Sequence, residues 1–224
     1  MNNTTSISLN NRAVEHLQAG RIIQAFDLLT MACSITMSRV ENYTHVDAGQ
    51  STFRFHWEDC SQETGIDAKT IGYDRAWGEG SASFLFMKAL RVTVAEDVKV
   101  DELCPCGFAW TVWFNFALCC CLIGTRLDEK GQKLLQTAFD LYNRVQRRID
   151  GEPPSKHWDL LQMAVTNNQA CIYHDYAMGE ETRECLDQLA LTLLTSKHDV
   201  EPHDSRSFFF NLQILGNDYV AAAA

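Results

Sequence analysis

The chain has 224 residues, of which 46% are hydrophobic and 21% are charged, so it can bury the core of one ordinary globular domain. Its formal net charge of −10 argues against a protein that binds nucleic acid or an anionic membrane through bulk electrostatics. No apolar run reaches the roughly 18–20 residues of a membrane-spanning helix.

The cellular compartment is inferred from the N-terminus and the cysteines. The first residues have neither the basic region nor the apolar region of a secretory signal. Nine cysteines in such a chain indicate a reducing compartment with free thiols. We therefore expect an intracellular, cytoplasmic protein, and residence in the nucleus stays open.

The start of the chain predicts a helical hairpin. After a frayed polar segment over residues 1–7, a helix is expected from about Ser8 to Ala19, and Gly20 ends it. A second helix is expected from Arg21 to about Met37, because its apolar residues recur at the i, i+3, i+4, i+7 spacing of an amphipathic helix. The turn between them is very short.

Residues 40–107 break the helical pattern and predict strands. Residues from about 51 to 57 alternate, with Phe53, Phe55 and Trp57 on one side, and residues 84–94 are rich in β-formers. Two strands alone are marginal in water. We therefore expect a third strand at 208–215, where apolar residues alternate again, and a small antiparallel sheet packed on the helices.

Two further helical hairpins are predicted, and a polar connection over residues 197–205 follows them. The segment Gly151–Pro154 ends the fourth helix, and Gly179 is placed at the last turn. Residues Ala221–Ala224 are expected to carry no packed structure. The predicted helices are Phe108–Ile123 with about Glu129–Arg148, and about Lys156–Ala177 with Glu180–Ser196.

The three hairpins share a short signature. Asn11, Asn115 and Asn168 each lie two positions before an alanine, and a small residue follows that alanine by seven positions. Small residues at matched positions allow two antiparallel helices to approach closely. One such hairpin cannot bury both of its faces, so neighbouring hairpins are expected to stack. The closing small residues are Gly20, Gly124 and Ala177.

This pattern resembles the tetratricopeptide repeat, and its Asn-x-Ala form, above all at 167–170, resembles the kinesin-light-chain type. The arrangement as a whole is similar to tetratricopeptide-like proteins of diatoms. The resemblance implies a mostly α (α+β) single domain over residues 1–224, with a β and loop insertion at about 40–107. It also implies a non-catalytic scaffold that binds a protein or peptide partner on a concave helical surface.

One known version of that function is not predicted. Chaperone-binding repeats hold a C-terminal carboxylate with Lys and Asn side chains on their first helices, and this clamp is missing here. The matching places hold Asn10 and Val14, Phe114 and Leu118, and Asn167 and Cys171.

The candidate binding residues are Asn11, Asn115, Asn167 and Asn168. An amide side chain offers both donors and an acceptor, so a row of them could hydrogen-bond the backbone of an extended peptide. The alternative is that each Asn bonds a neighbouring helix or loop and fixes the repeat geometry, which we favour for Asn115 because its helix is so apolar. A buried unpaired amide would cost about 1–3 kcal/mol, so a partner is expected in either case.

Two aromatic residues of the polar loop between the predicted strands are further binding candidates. Tyr73 and Trp77 lie in that loop, and aromatic residues on polar loops often mark contacts with partners. The alternative is that Trp77 packs onto the sheet.

The cysteines are weighed as a metal or redox site. Cys104 and Cys106 form a C-x-C pair, but a metal needs three or four converging ligands, and the adjacent Cys119–Cys121 diverge around a helix. Cys171 and His174 are spaced for contact without an orienting residue or an oxyanion site. We expect no cofactor, no metal and no enzyme. The open alternatives are a structural subunit of a larger assembly and a cysteine-based metal or redox protein.

Overall fold

The computed structural model describes residues 3–40, 53–60, 85–94, 106–125, 127, 131–151, 156–196 and 202–222. These residues form mostly helices and a small antiparallel sheet, as the sequence predicts, and the sheet has two strands rather than the predicted three. In chain order the elements are α1 (Asn3–Gln18), α2 (Ile22–Val40), β1 (Phe53–Asp59), β2 (Lys88–Val94), α3 (Cys106–Gly124), α4 (Gly131–Ile149), α5 (Lys156–Asp175), α6 (Gly179–Thr195) and α7 (Pro202–Ala222).

The chain divides into two compact units. The first comprises Met1–Asp74 with Met87–Val145, and the second comprises Arg75–Phe86 with Gln146–Ala224. In the first unit α1 packs along α2, α2 packs along α3, and β2 lies against both α1 and α3. In the second unit α5 packs along α6, and α7 contacts both of them.

Small residues make the close contact between α1 and α2 possible. Ala13 on α1 and both Ala25 and Ala32 on α2 are completely buried, at the positions where the repeat pattern has small residues. Leu17 and Leu29 are also completely buried, so they fill the groove that the alanines leave between the two helices. The small residues of the sequence pattern in this hairpin are therefore buried, as the close approach of two helices requires.

Helix α3 is the most buried element of the first unit. All residues from Phe108 to Leu122 are buried, which fits a helix that is apolar around its whole circumference. Within the described ranges, no helix combines the length and the apolarity that crossing a membrane requires. The apolar residues of α3 are covered instead by α2, by α4 and by the sheet. Phe116 meets Phe26 with ring centroids 5.4 Å apart, and Phe114 meets Tyr142 at 5.8 Å.

The sheet rests on α3 through the apolar face predicted for the first strand. The ring centroids of Phe53 and Phe108 are 5.4 Å apart, those of Phe55 and Trp110 are 4.5 Å apart, and those of Trp57 and Phe114 are 5.5 Å apart. Tilted and edge-on pairs at such distances are favourable beyond the area they bury. The strands are Phe53–Asp59 and Lys88–Val94, so the first two of the three predicted strands exist with shifted ends.

The predicted third strand at 208–215 is wrong, because these residues lie within α7. Phe208, Asn211 and Leu215 are buried and follow one another at the spacing of one helix face. Phe209, in contrast, is 55% exposed. The alternation of apolar residues at 208, 210, 212 and 214 is therefore not the pattern of burial. Two strands suffice because helices α1 and α3 support β2.

Both ends of the described chain are more helical than predicted. Helix α1 begins at Asn3 rather than at about Ser8, and Ser6 and Ile7 are buried, which stabilises the extra turn. Helix α7 continues to Ala222, so Ala221 and Ala222 are helical. Alanine is the strongest helix former, which accounts for the extension.

Two of the three closing positions of the repeat end a helix in the same way. Gly20 and Ala177 both have positive φ, 66° and 54°. The N–H of Gly20 bonds the carbonyl of Leu17 and the next N–H bonds that of His16, and Ala177 and Met178 repeat both bonds after α5. This is a Schellman ending, in which glycine normally occupies the left-handed position. The turn residue after α5 is thus Ala177 rather than the predicted Gly179.

The substitution Ala177→Gly is expected to stabilise the second unit by about 0.5–1 kcal/mol, because glycine adopts a positive φ without the steric cost that a Cβ imposes. Ala177 is exposed, so no packing is lost. The matched reverse change, Gly20→Ala, should destabilise the first unit by a similar amount. Denaturant unfolding of both variants, followed by circular dichroism, measures this. A neutral or destabilising Ala177→Gly would contradict the expectation.

Candidate functional site

Asn115 lies in the middle of α3 and binds the backbone of β2. Its side chain is completely buried. Its Oδ1 accepts a hydrogen bond from the N–H of Leu90 at 2.8 Å, and its Nδ2 donates to the carbonyl oxygen of the same residue at 2.8 Å. The Nδ2 also donates to Oδ1 of Asn10 at 2.9 Å. Both amide hydrogens and the amide oxygen of this completely buried side chain are therefore bonded, and a hydrogen bond is electrostatically stronger in the protein interior than in water.

Asn11 on α1 makes the same pair of hydrogen bonds to Val92, two residues further along the strand. Its Oδ1 accepts the N–H of Val92 at 2.9 Å, and its Nδ2 donates to the carbonyl of Val92 at 2.7 Å. Alternate residues of an antiparallel strand direct their backbone groups to opposite edges. Leu90 and Val92 thus direct their N–H and C=O groups away from β1. The asparagines bind these groups, which would otherwise form an unpaired strand edge open to another chain.

Asn10 completes this group and was not among the predicted binding residues. It is completely buried, and its Nδ2 donates to the carbonyl of Leu90 at 3.0 Å and to Oδ1 of Asn11 at 3.3 Å. A signal for it was present in the sequence, because the doublet Asn10-Asn11 matches the doublet Asn167-Asn168. We call Asn10, Asn11 and Asn115 the amide row.

In the second unit the second doublet makes a contact of the same kind. Asn168 is completely buried, and its Oδ1 accepts the backbone N–H of Phe86 at 2.7 Å. Asn167 donates through Nδ2 to Oδ1 of Asn168 at 3.2 Å, and its Oδ1 accepts from Nδ2 of Asn211 on α7 at 2.6 Å. Phe86 also stacks on Phe208, with ring centroids 5.1 Å apart.

The predicted candidates Asn11, Asn115 and Asn168 bind main-chain groups, and this main chain belongs to the protein itself. Asn11, Asn115 and Asn168 each bond a main-chain N–H of residues 86–92, while Asn167 supports Asn168. The contacts have the chemistry expected for a bound peptide and the location expected for fixing the geometry of the fold. The arrangement therefore binds a strand through its main-chain groups rather than through its side chains.

Charged side chains of the first unit contact Arg91, which lies between Leu90 and Val92 on β2. Arg91 forms ion pairs with Glu15 of α1 at 3.2 Å and with Glu58 of β1 at 3.3 Å. Its side chain is 26% exposed, so each pair contributes little to stability. Glu58 also accepts a hydrogen bond from Gln18 at 3.1 Å. The acidic partners favour a basic residue at this place in the strand.

The remaining predicted candidates are placed as follows. Tyr73, Trp77 and Cys104 lie outside the described residues, and Cys106 is the first residue of α3. Among the described residues, no group of three or more His, Cys, Asp or Glu side chains could hold a metal ion.

Burial, complete or partial, controls the acidity of the thiols considered next. It raises the pKa of Cys33 and Cys185 to about 11 and that of Cys60 and Cys120 to about 12. Burial likewise raises the pKa of Cys171, the thiol of the predicted Cys171–His174 pair. Because the thiolate is the reactive form, these groups are suited to packing rather than to nucleophilic or redox chemistry.

Alkylation of the native chain at pH 8 should modify Cys120 at least 100-fold more slowly than in guanidinium, with Cys185, which is only partly buried, reacting faster than Cys120. Burial raises the pKa of Cys33 to about 11 and that of Cys120 to about 12 in the folded state. The contribution of these protonated thiols to the free energy of unfolding is therefore complete below about pH 8.5 and is lost as the pH rises through the raised values. Timed iodoacetamide labelling with peptide mass mapping measures the rates. Rapid native labelling of Cys120 would contradict the burial argument.

No family model matches this chain, and neither a curated protein nor a solved structure matches it.

Proposed function

We propose that this protein is a non-catalytic scaffold that binds a protein partner through an extended segment of that partner. The observation that supports the proposal is the amide row, in which helix-borne asparagines take both backbone groups of alternate residues in a strand. Such contacts recognise an extended chain of almost any sequence. They suit a binding module and supply no nucleophile, base or oxyanion site.

The tetratricopeptide-like interpretation belongs to the same proposal. Helices α1 and α3, which carry the amide row, are the first helices of two predicted hairpins, and β2 lies against both. In a stack of such hairpins the first helices would share one face. That face is where a partner segment is proposed to lie.

The second candidate function, a structural subunit of a larger assembly, is favoured by apolar residues exposed in the second unit. Leu191 and Leu194 are exposed on α6, and Phe209 and Phe210 are exposed on α7, with Leu194 at 80%. Single exposed apolar residues are ordinary, but four large ones on two helices that pack on each other suit a surface that another chain covers.

The third alternative, a cysteine-based metal or redox protein, has little support. Burial keeps the thiols of Cys33, Cys60, Cys120 and Cys185 protonated at neutral pH. That alternative therefore depends on Cys104 and Cys106.

Affinity capture followed by binding of purified components tests the proposal. The full chain should enrich a specific protein more than tenfold over an unrelated acidic protein, and the purified partner should bind with a Kd in the micromolar range or below. A synthetic peptide of about ten residues from that partner should retain binding within tenfold, because the proposed recognition is of an extended segment.

The same experiment separates the two candidate functions. Leu194→Arg, with Gln188→Arg as the matched change at an exposed polar site of α6, leaves the amide row untouched. If Leu194→Arg alone abolishes partner binding and no short peptide binds, the subunit function replaces the scaffold. If no protein is enriched at all, both proposals lose their basis.

A further inference from the structure

We propose that the amide row is a peptide-binding site that β2 fills in cis, so that a partner binds by replacing β2 with an extended segment of its own. This inference rests on the proposed scaffold function and adds to it the chemistry of the partner segment and a means of regulation.

The first argument is that the hydrogen bonds from the row to β2 are made to main-chain atoms. Five hydrogen bonds join Asn10, Asn11 and Asn115 to the N–H and C=O groups of Leu90 and Val92. Any extended chain that has an N–H at both positions can make the same five bonds. The row therefore does not distinguish β2 from another strand, and proximity in the chain favours β2.

The second argument is that β2 belongs to an element that can be released as a unit. Strands β1 and β2 pair with each other from Phe53↔Val94 to Asp59↔Lys88. Residues 41–52 join this hairpin to α2, and residues 95–105 join it to α3. Release of the hairpin keeps the packing of α1 on α2 and of α2 on α3. It gives up the ring contacts that Phe53, Phe55 and Trp57 make with α3, so the partner has to supply a corresponding apolar contact.

The cost of release defines what a partner must supply. Leu90 and Val92 are completely or almost completely buried, at 0% and 1% exposure, so a competing segment needs apolar residues at both positions to recover that burial. It cannot have proline at either position, because each N–H is bound by an asparagine. A segment without these features would leave buried amides unpaired.

The negative charge of Glu15 favours a basic residue at the position of Arg91, between the two apolar residues. Glu15 on α1 lies 3.2 Å from the guanidinium of Arg91, and the whole chain has a net charge of −10, which attracts basic segments. The partner segment is therefore extended and reads apolar, basic, apolar, as Leu90-Arg91-Val92 does. Proline at either apolar position would exclude a candidate, and an acidic residue between them would weaken its binding.

The test uses the full chain and a labelled synthetic peptide with the sequence of residues 85–94. Leu90→Pro in the chain removes the N–H that Asn115 accepts and weakens the cis occupant, while all three asparagines remain. The peptide should bind this variant at least tenfold more tightly than it binds the wild type in fluorescence anisotropy. Thr93→Ala, at an exposed position of β2, is the matched control and should behave as the wild type.

A second peptide and a second variant show whether the amides are the receptor. A peptide with proline at the place of Leu90 should not bind the Leu90→Pro chain. Adding Asn11→Ala to that chain should weaken binding of the original peptide at least fivefold, because two hydrogen bonds are lost. Equal binding of both peptides, or no binding to a folded Leu90→Pro chain, would overturn the proposal.

Hydrogen exchange of the wild type keeps the proposal testable if Leu90→Pro does not fold. The amides of residues 85–94 should exchange at least tenfold faster than those of residues 108–122 in α3, because the hairpin opens while the helices stay folded. Exchange of both segments at one common rate would show that β2 leaves only on global unfolding, which would sink the inference.

Failure of this inference and failure of the scaffold are distinguishable. If a captured partner binds equally well to the wild type and to Leu90→Pro, and the 85–94 peptide does not compete with it, the scaffold stands and the cis-occupied site does not. If no partner is captured but the peptide binds Leu90→Pro as expected, the site stands and the scaffold lacks its partner.

Discussion

Replacement of Asn115 by alanine is expected to lower the free energy of unfolding of the first unit by about 3 kcal/mol. The change leaves the buried N–H of Leu90 without its acceptor and removes the donor to Oδ1 of Asn10. The carbonyl of Leu90 keeps its bond from Asn10, so one of its two partners remains. A small cavity adds to the cost because the site is completely buried.

The matched control is Gln136→Ala, which removes an amide from an exposed position of α4. The Gln136 side chain donates only to Asp140 of the same helix, so its loss should change stability by less than about 0.5 kcal/mol. Guanidinium unfolding gives the free energies, and hydrogen exchange assigns them to the first unit. Similar losses in both variants would mean that the amide row does not hold β2.

Asn115→Asp should be more damaging than Asn115→Ala at neutral pH. The carboxylate can still accept the N–H of Leu90, but it places a second acceptor against the carbonyl of Leu90 and Oδ1 of Asn10, where Nδ2 now donates. Burial raises the pKa of such a carboxyl in the folded state. The variant should therefore lose stability as pH rises from about 4 toward that raised value, and the alanine variant should not.

Helices α2 to α6 could be predicted to within a few residues because their apolar residues recur at the helical period and end at recognisable breakers. The apolar face of β1 could be predicted for a similar reason, since Phe53, Phe55 and Trp57 alternate with polar residues. In each case the burial pattern depends on the local sequence alone.

Helix α7 could not be predicted in this way. The residues from Phe208 to Leu215 carry an alternating pattern and a helical pattern at once, and only the neighbouring α5 and α6 decide between them. Tertiary packing overrode the local propensity, as it does where an aromatic cluster suits both structures.

The sequence indicates the asparagines but leaves their partner open. An Asn repeated at one register position of helical hairpins indicates a shared hydrogen-bonding role, with an extended peptide or a neighbouring helix or loop as the two alternative partners. The partner of Asn11 lies 81 residues away in sequence, so no local pattern connects the two. The duplicated Asn10-Asn11 doublet could have identified Asn10 as part of the site.

Gly131→Ala is expected to destabilise the first unit by about 3 kcal/mol. Gly131 begins α4, and a Cβ placed on it would overlap the carbonyl oxygen of Gly124 at the end of α3. A backbone oxygen cannot rotate away as a side chain can, so the two helix ends would have to separate. That movement would expose Leu135, which is buried.

Two other glycines provide matched comparisons for Gly131→Ala. A Cβ on Gly124 would lie 2.9 Å from Cγ of Leu135 and 3.1 Å from the carbonyl oxygen of Gly131, so Gly124→Ala should cost less, about 1–2 kcal/mol. A Cβ on Gly151 would meet only the carbonyl oxygen of Arg148, at 3.7 Å, and Gly151→Ala should stay within about 0.5 kcal/mol of the wild type.

Thermal and guanidinium unfolding of the three variants should therefore rank them in the order Gly151→Ala, Gly124→Ala, Gly131→Ala, from most to least stable. The ranking tests why the repeat pattern has a small residue, Gly124, at the end of α3. At Gly20 and Ala177 the requirement is a positive φ, whereas at Gly124 it is the close approach of two helix ends. If Gly131→Ala were as stable as Gly151→Ala, the ends of α3 and α4 would not be in the close contact on which this explanation depends.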